Sequence, residues 1–561
     1  MKFLHICITC WLAFWLVAPL SAQEGSGGRL SGNLEANGNF FLRDTLIGAA
    51  KTPQYDRQIF GSESWLNLNY SNWGFDFALR FDVFNNSNLL NPQGSYTALG
   101  IGRWYVHKTV DNFDFSVGYL YDQIGSGIIF RSYEQRALLI DNALVGLRVG
   151  YNFGDNLRVK AFSGLQKQQF DLYKSVIAGA SIDYFLVGKE GSQFTLAPGA
   201  GIVRRTLDDA TMNNLVATIN TYLADDAFVP TYTAYAMSLY NTLTWGPFTW
   251  YAEGAYKTRD NMSNPLVDRV TITGDTIVGK LVQSPGSVFY SSLSFAKSGL
   301  GITLEGKRTK NFSFRTRPQE ELNRGLMNFL PPMTRVNTYR LTARYMPATQ
   351  EFGELAFQVD ARYAINKHTS VNVNFSNITD LDGNQLYREI YTELLLKKTR
   401  KWQFTGGVQF QNYNQEVYFF KPHEPILENI TPYFDFLYRF PKRRAVRLEA
   451  QYMLTGQDAK GIGYDYGDWL FGLLEISPAA KWTITLSDMY NIGPGKNSPS
   501  DANTGEKLSV HFPRFDVFYT HGANRFSLSY VKQVEGVVCT GGVCRIEPAF
   551  SGVKFSVNSS F

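Results

Sequence analysis

Charged residues recur at even spacings with apolar residues between them: Asp76, Arg80 and Asp82; Glu253 and Lys257; Glu305 and Lys307; Arg340 and Arg344; Asp360 and Arg362; Arg447 and Glu449. Arg158 and Lys160, Asp435 and Arg439, and Arg514 and Asp516 repeat the pattern. Such alternation is how a strand with one apolar and one polar face reads. A charge on a lipid-facing side would cost about 2 to 4 kcal/mol near the membrane midplane, so these residues are expected to face a shared interior. Two kinds of chemistry fit mixed charge there. One is a hydrated pore whose field handles polar or charged solutes; the other is a set of ion-pair ladders that stiffen a wall and are individually weak.

Catalysis has no comparable signature. His107, His368, His423, His511 and His521 are scattered, and the chain has no Gly-x-Ser-x-Gly elbow, metal-type His pair or Asp-His dipeptide. No catalytic residue, metal ligand set or cofactor is therefore expected. His107 shares a polar face with Arg103 and Tyr105 and reads as an interior residue rather than a general base. Asp380-Leu381-Asp382-Gly383-Asn384 with Glu389 faintly follows a calcium loop, but the first position would be Ile378, which has no carboxylate, so a turn is expected.

The elements that must carry the charged faces are short alternating strands. Leu66, Leu68 and Tyr70 alternate with Asn67 and Asn69; Asn72-Trp73-Gly74 then turns the chain into Phe75, Phe77, Leu79, Phe81 and Val83, which alternate with Asp76, Ala78, Arg80 and Asp82. Short turns recur near Asp111, Asp155, Gly246, Ser298, Lys442 and Ala480. Long polar connections lie between them at about 207–230, 260–285, 310–337, 415–429 and 492–506. Short turns at one end and long loops at the other are the periplasmic and extracellular ends of an outer-membrane barrel. Trp73, Trp245, Trp402 and Trp482 all fall at short turns, where a periplasmic aromatic girdle would sit.

The last segment, Gly552 to Phe561, puts Val553, Phe555, Val557 and Phe561 on one face and Lys554, Ser556, Asn558 and Ser560 on the other. An alternating strand with an aromatic last residue resembles the terminal strand by which barrel-insertion machinery recognises its clients. Counting forward from Arg29 to Thr309 gives about thirteen strands, and back from Phe561 to Asn337 about twelve. Bacterial single-chain barrels have even numbers, so one strand between Gly299 and Tyr387 is misread, and about 24–26 strands are expected.

Composition agrees with export to the outer membrane. Met1-Lys2, an apolar run from Phe3 to Ala18 and Leu20-Ser21-Ala22 before Gln23 read as a signal peptide over 1–22, followed by a short periplasmic lead over 23–28 and the barrel over 29–561. That lead leaves no room for a plug domain ahead of the barrel. Aromatic residues make up 15% of the chain, and the mean hydropathy of -0.20 is what alternating strands give. A net charge of +5 is too small and dispersed to argue for nucleic acid. Beyond the signal segment the cysteines are Cys539 and Cys544, flanking Thr540-Gly541-Gly542-Val543 in the connection before the last strand. They are expected to form a disulfide outside the cell, with free thiols or a transient metal site as the rival.

One stretch breaks the alternation. Gly125 to Asn142 carries glycines, then Arg131, Tyr133, Glu134, Arg136 and Asp141 before strand grammar returns. Together with Tyr345-Met346-Pro347-Ala348-Thr349-Gln350-Glu351-Phe352-Gly353-Glu354, it resembles segments of an uncharacterised, porin-like family of outer-membrane β-barrel proteins from Bacteroidota. That resemblance implies a barrel and no activity. Arg131 to Asp141 is a candidate constriction folded into the lumen, with an ordinary extracellular loop as the alternative.

The expected protein is an all-β, transmembrane antiparallel barrel without a plug domain, in contact with outer-membrane lipid. It would be a channel or transporter for hydrophilic solutes, and its lumen would hold water unless its long loops fold in. The rival is a non-transporting barrel that serves as scaffold or partner of an envelope or secretion assembly, an idea that aromatic loops such as Tyr418-Phe419-Phe420 favour. An outer-membrane hydrolase is a distant third.

Overall fold

The computed structural model describes residues 28–89, 91, 93–136, 140–189, 192–398, 400–421, 423–540 and 543–561; for 537–540 and 543–546 it describes the backbone alone. The expected signal peptide over 1–22 lies outside the described residues, as does the lead up to residue 27. Wall strands run from Arg29–Phe41 to Phe550–Ser560 and form a closed antiparallel barrel of 24. Closure joins the chain's two ends. Arg29–Phe41 pairs on one side with Phe60–Asn72 and on the other with Phe550–Ser560, Asn33 lying opposite Ser560 and Phe41 opposite Gly552.

Local chemistry explains the hairpins. Trp73 and Gly74 both have positive φ, 53° and 74°, the backbone of a tight two-residue turn whose twist matches the flanking strands. The Asn72 carboxamide oxygen accepts from the Trp73 N–H at 2.9 Å and fixes that turn. Beyond it Phe81 and Val83 stand exposed on the outside, while Arg80 and Asp82 are buried inside. The same outward apolar set, Phe113, Phe115, Leu239, Phe289, Phe357, Leu394, Phe434, Leu486 and Phe555 among it, makes a belt suited to lipid. Trp73, Trp245 and Trp482 are exposed beside the short turns.

Thirteen wall strands end at Lys310 and eleven begin at Gly353, so the misread strand is Asn337 to Met346, which is not in the wall. The expected long connection at 260–285 is also corrected. Strands Phe248–Val270 and Thr276–Lys297 continue through it as one hairpin that outruns its neighbours, absorbing register shifts between Lys257 and Asp260 and between Asn264 and Asp268. Beside it helix Asp209–Ile219, capped by the Asp208 carboxylate accepting from the Thr211 N–H at 3.0 Å, buries Met212, Leu215 and Ile219 against Tyr222 and Leu281.

Burial along the inward face is graded. On Ile426–Phe440 the inward residues Leu427, Asn429, Thr431 and Tyr433, nearest the long loops, are buried, Asp435 and Leu437 are half-buried, and Arg439 at the short-turn end is exposed. Gly353–Asn366 repeats this from Glu354 to Arg362, and Gln385–Lys398 from Tyr387 to Lys397. The lumen is thus filled toward the long loops and wet toward the short turns.

Candidate functional site

Two connections fill the closed half, residues 121–142 and 311–352. Each leaves the wall at the long-loop end, after Leu120 and Lys310, and its apolar side chains are fully buried: Ile124, Ile128 and Phe130 in the first, Phe312, Phe314, Met327 and Leu341 in the second. These side chains join the wall's inner face in one continuous core. The two segments also hold each other. Arg131 N–H donates to the Met327 carbonyl at 2.8 Å, Phe329 N–H to the Gly127 carbonyl at 2.9 Å, and the Arg131 guanidinium lies 4.3 Å from the Phe329 ring centroid.

The first segment is clasped by charge. Arg80, on the wall, binds Asp82 at 2.6 Å, Glu134 at 2.8 Å and Asp141 at 2.7 Å. Lys167 also binds Asp141, Tyr121 donates to it at 2.7 Å, and Arg136 binds Glu134 at 2.7 Å and reaches Glu35 on the first strand. Burial pushes the Asp141 carboxyl up, but Lys167 and Arg80 outweigh it and hold the group below the usual carboxylate range. Missing side chains make the room. A Cβ on Gly201 would lie 2.3 Å from the Ile124 Cγ2, and one on Gly102 would lie 1.9 Å from the Asp82 Oδ2.

The second segment is tied to the wall in two regions. Along its first half, Lys257 pairs with Asp260 at 3.2 Å and donates to the Ser313 carbonyl, Arg205 pairs with the same Asp260 and donates to the Arg315 carbonyl at 2.7 Å, and Lys307 pairs with Glu354 at 3.0 Å and donates to the Pro331 carbonyl. Lys257, Arg205 and Asp260 are wholly buried, where an ion must be paired to be tolerated. Along its second half, Glu389 accepts from the Asn337 amide at 2.9 Å, Gln451 from the Leu341 N–H at 2.7 Å, and the Gln411 amide donates to the Tyr345 carbonyl at 2.7 Å. The Gln166 amide also donates to the Leu326 carbonyl, and its strand Leu157–Gln168 lies twelve strands from Arg444–Thr455, which carries Gln451, half a turn of the 24-strand wall, so the segment bridges the lumen.

Of the interior residues expected from the sequence, Arg80, Asp82, Lys257 and Lys307 stand in these clasps, and Glu253 accepts from the Ser126 N–H at 2.9 Å and from its hydroxyl. Glu305 accepts from Tyr290, Asp360 from Asn374 at 3.3 Å, and Arg447 pairs with Asp435 at 2.7 Å and with Glu449. Asp76 and Arg362 are exposed in the wet half. Arg340 and Arg344 require correction: they lie on no strand but in the second segment, where Arg344 sits 4.6 Å over Trp469 and 5.1 Å over Tyr466. Their spacing mimicked alternation by chance of two arginines four apart. Arg131, Tyr133, Glu134, Arg136 and Asp141 belong to the first segment: Glu134, Arg136 and Asp141 bind the wall's inner face, while Arg131 and Tyr133 pack on Phe329 of the second segment.

His107 is bonded to the Phe115 carbonyl at 3.0 Å, and Asp380 accepts three bonds from Asp382 and Asn384, a turn. The Cys539 and Cys544 backbones are register partners in a two-stranded hairpin; their sulfurs lie outside the described residues. Tyr418 and Phe419, expected as loop aromatics for a partner, pack into the core, and Phe420 alone of the three is exposed. The second segment was not foreseen as a filling. Its signal was Leu326-Met327-Asn328-Phe329-Leu330-Pro331-Pro332-Met333, an apolar run without alternation that a solvated loop has no reason to carry.

These features define a bacterial outer-membrane β-barrel with polypeptide filling half its lumen. The chain belongs to the DUF6029 family, a family of unknown function whose model matches residues 1–561. Among solved structures it is similar to the siderophore receptor PirA from Pseudomonas aeruginosa, with 8% identity over 95% of this chain and 80% of that one and a TM-score of 0.38. It is also similar to the outer-membrane transporter YddB from Escherichia coli, with 6% identity, 95% and 81% coverage and a TM-score of 0.39. The usher PapC translocation pore matches with 11% identity, 95% and 98% coverage and a TM-score of 0.36. No curated protein matches the chain.

Proposed function

We propose that this barrel is a closed channel for hydrophilic solutes, with residues 311–352 as its movable stopper. The observation that carries the reading is the graded lumen: a polar vestibule open toward the short turns ends on a segment held by Gln166 and Gln451, which stand half a turn of the wall apart. Ion pairs and hydrogen bonds can be exchanged for water singly, whereas a scaffold needs neither a hydrated half nor charged contacts across its width. The stopper is also removable in design, since Lys310 and Gly353 are register partners that a four-residue turn can bridge.

Planar-bilayer recordings test this. The intact protein is expected to be almost silent, and the barrel with 311–352 replaced by Gly-Asn-Gly-Ser is expected to conduct steadily. A trimmed barrel that is folded by heat-modifiable migration yet does not conduct would overturn the reading. It would favour the scaffold reading instead, which has its own observation: the protruding hairpin exposes Ile272, Val278 and, beside it, Val229 by 67%, 72% and 85%.

A further inference from the structure

The outer face of the wall carries an unbalanced charge at the long-loop end. On strands Phe194–Thr206, Leu300–Lys310, Gly353–Asn366 and Gln385–Lys398 every carboxylate, Glu305, Glu354, Asp360, Glu389 and Glu393, belongs to the inward set. The inward cations of these strands are paired, Arg205 with Asp260 and Lys307 with Glu354. Their outward neighbours are not. Arg204, Arg308, Lys310 and Arg388 are exposed and form no ion pair among the described residues.

Depth supplies the missing partner. Arg204 and Arg388 each stand two residues on the loop side of a lipid-facing isoleucine, Ile202 and Ile390, a rise of about 7 Å. Arg308 lies in register between the exposed Phe289 and Leu355, and Lys310 is one pair further out. These cations therefore sit where the apolar belt meets the headgroups of the external leaflet, the level at which long basic side chains meet lipid phosphate.

Two cationic stations flank one apolar floor. Arg308 and Lys310 share a face two residues apart, about 7 Å, and Arg388 lies three strands further round the wall, about 15 Å at ordinary strand spacing. Between them Leu355 and Phe357 are exposed. Arg388 is also held in place: its Nε donates to the Asn377 Oδ1 at 3.1 Å and its Nη2 to the Gln385 Oε1 at 2.8 Å. Both acceptors are neutral, so the guanidinium is oriented while its charge and its remaining N–H groups are left for an outside anion. A soluble anion would gain nothing from the floor, and a zwitterionic lipid already neutralises its own phosphate. We infer that this face binds a lipid of the external leaflet that carries two phosphates, its acyl chains on Leu355 and Phe357 and its phosphates divided between Arg308 with Lys310 on one side and Arg388 on the other. The site lies outside the wall and does not rest on the channel reading.

Native mass spectrometry of the intact protein released from detergent is the test, with bisphosphorylated lipid A, its monophosphoryl form and phosphatidylcholine as probes at equal concentration. Bisphosphorylated lipid A is expected to be retained about tenfold more than either of the others, as one further charge-assisted contact gives. Arg388→Gln, and separately the double variant Arg308→Ser with Lys310→Ser, should each lower its retention to that of the monophosphoryl form. Lys108→Ser removes a cation that lies 4.0 Å over the Phe75 ring at the short-turn end, and should leave retention unchanged. Heat-modifiable migration establishes that the variants are folded. Equal retention of the three lipids, retention that survives either rim variant, or an equal loss in Lys108→Ser would each overturn the inference.

Discussion

The Tyr345 hydroxyl, carried by the stopper, donates at 2.8 Å to the Asp465 carboxylate in the connection ahead of strand Gly467–Ala479, and both groups are buried. Burial raises the Asp465 carboxyl, but Arg344 first and Lys421 second pull it below its ordinary 3.8. A depressed folded value means that the stabilisation is whole above about pH 4 and is lost as pH falls through that lower value. Proteolysis of the stopper in the folded barrel is therefore expected to be flat from pH 8 to pH 5 and to rise only in stronger acid. Tyr345→Phe should cost about 1 to 3 kcal/mol and raise cleavage at neutral pH. An onset near pH 6 would contradict the assignment.

Asp260 neutralises two buried cations, Arg205 and Lys257. Removing one partner of such a group leaves charge stranded, at about 3 to 5 kcal/mol. Asp260→Ala should lower the temperature of the heat-modifiable transition well beyond what Asp76→Ala does, since Asp76 is exposed in the wet half. Equal shifts for the two would show that the triad is not a structural clasp.

Gly201 gives Ile124 its seat. Gly201→Leu has no rotamer that avoids it, so residues 121–142 should be expelled from that part of the wall while the outer face of the strand is unchanged. The expected readout is new protease cleavage within 121–136 in a barrel that still migrates as folded. Unaltered cleavage would mean that the segment is held elsewhere.

The Cys539 and Cys544 backbones are register partners, and a short-loop disulfide between them is expected. Its contribution should be modest, about 2 kcal/mol, because a short loop loses little entropy in the unfolded chain. On intact cells a membrane-impermeant maleimide should label the protein only after reductant. Immediate labelling would show free thiols, and labelling only after lysis would place the hairpin on the other side of the membrane.

Phe555 projects from the last strand toward lipid between Gly38 and Leu528. Phe555→Arg should cost up to about 2 to 4 kcal/mol in the membrane and deplete the assembled fraction. Ser556→Arg, on the inward face of the same strand, should assemble normally. Similar depletion for both would argue that the strand's chemistry, not its lipid contact, was damaged.

The wall was legible because alternation is enforced residue by residue: at Phe75 to Val83 every second side chain meets either lipid or the interior, and composition cannot drift. The short turns were legible for the same reason, Trp73-Gly74 needing a backbone that few pairs supply. What fills the interior was not. Residues 311–352 have little regular structure, so no period marks them; their order comes from partners such as Lys257, Glu389 and Gln451, separated from them by tens to over a hundred residues. Arg340 and Arg344 show the cost of reading spacing alone, since two arginines four apart satisfy a strand's period and also fit an irregular segment. The 260–285 hairpin was missed because bulges at Lys257 and Asn264 break its alternation twice.

The barrel's final seam joins Asn33 to Ser560, while the stopper lies near the middle of the chain. Time enters the structure here. The cylinder has no inside until the strand Phe550–Ser560 pairs, and by then residues 311–352 have long been synthesised and must already lie within the bend of the unfinished sheet. Threading a 42-residue segment into a sealed wall afterwards would mean passing its charged groups through an occupied mouth. The sheet is therefore expected to close with its contents in place, and a mutation that loosens the contents should reveal itself first as slow closure rather than as a leak.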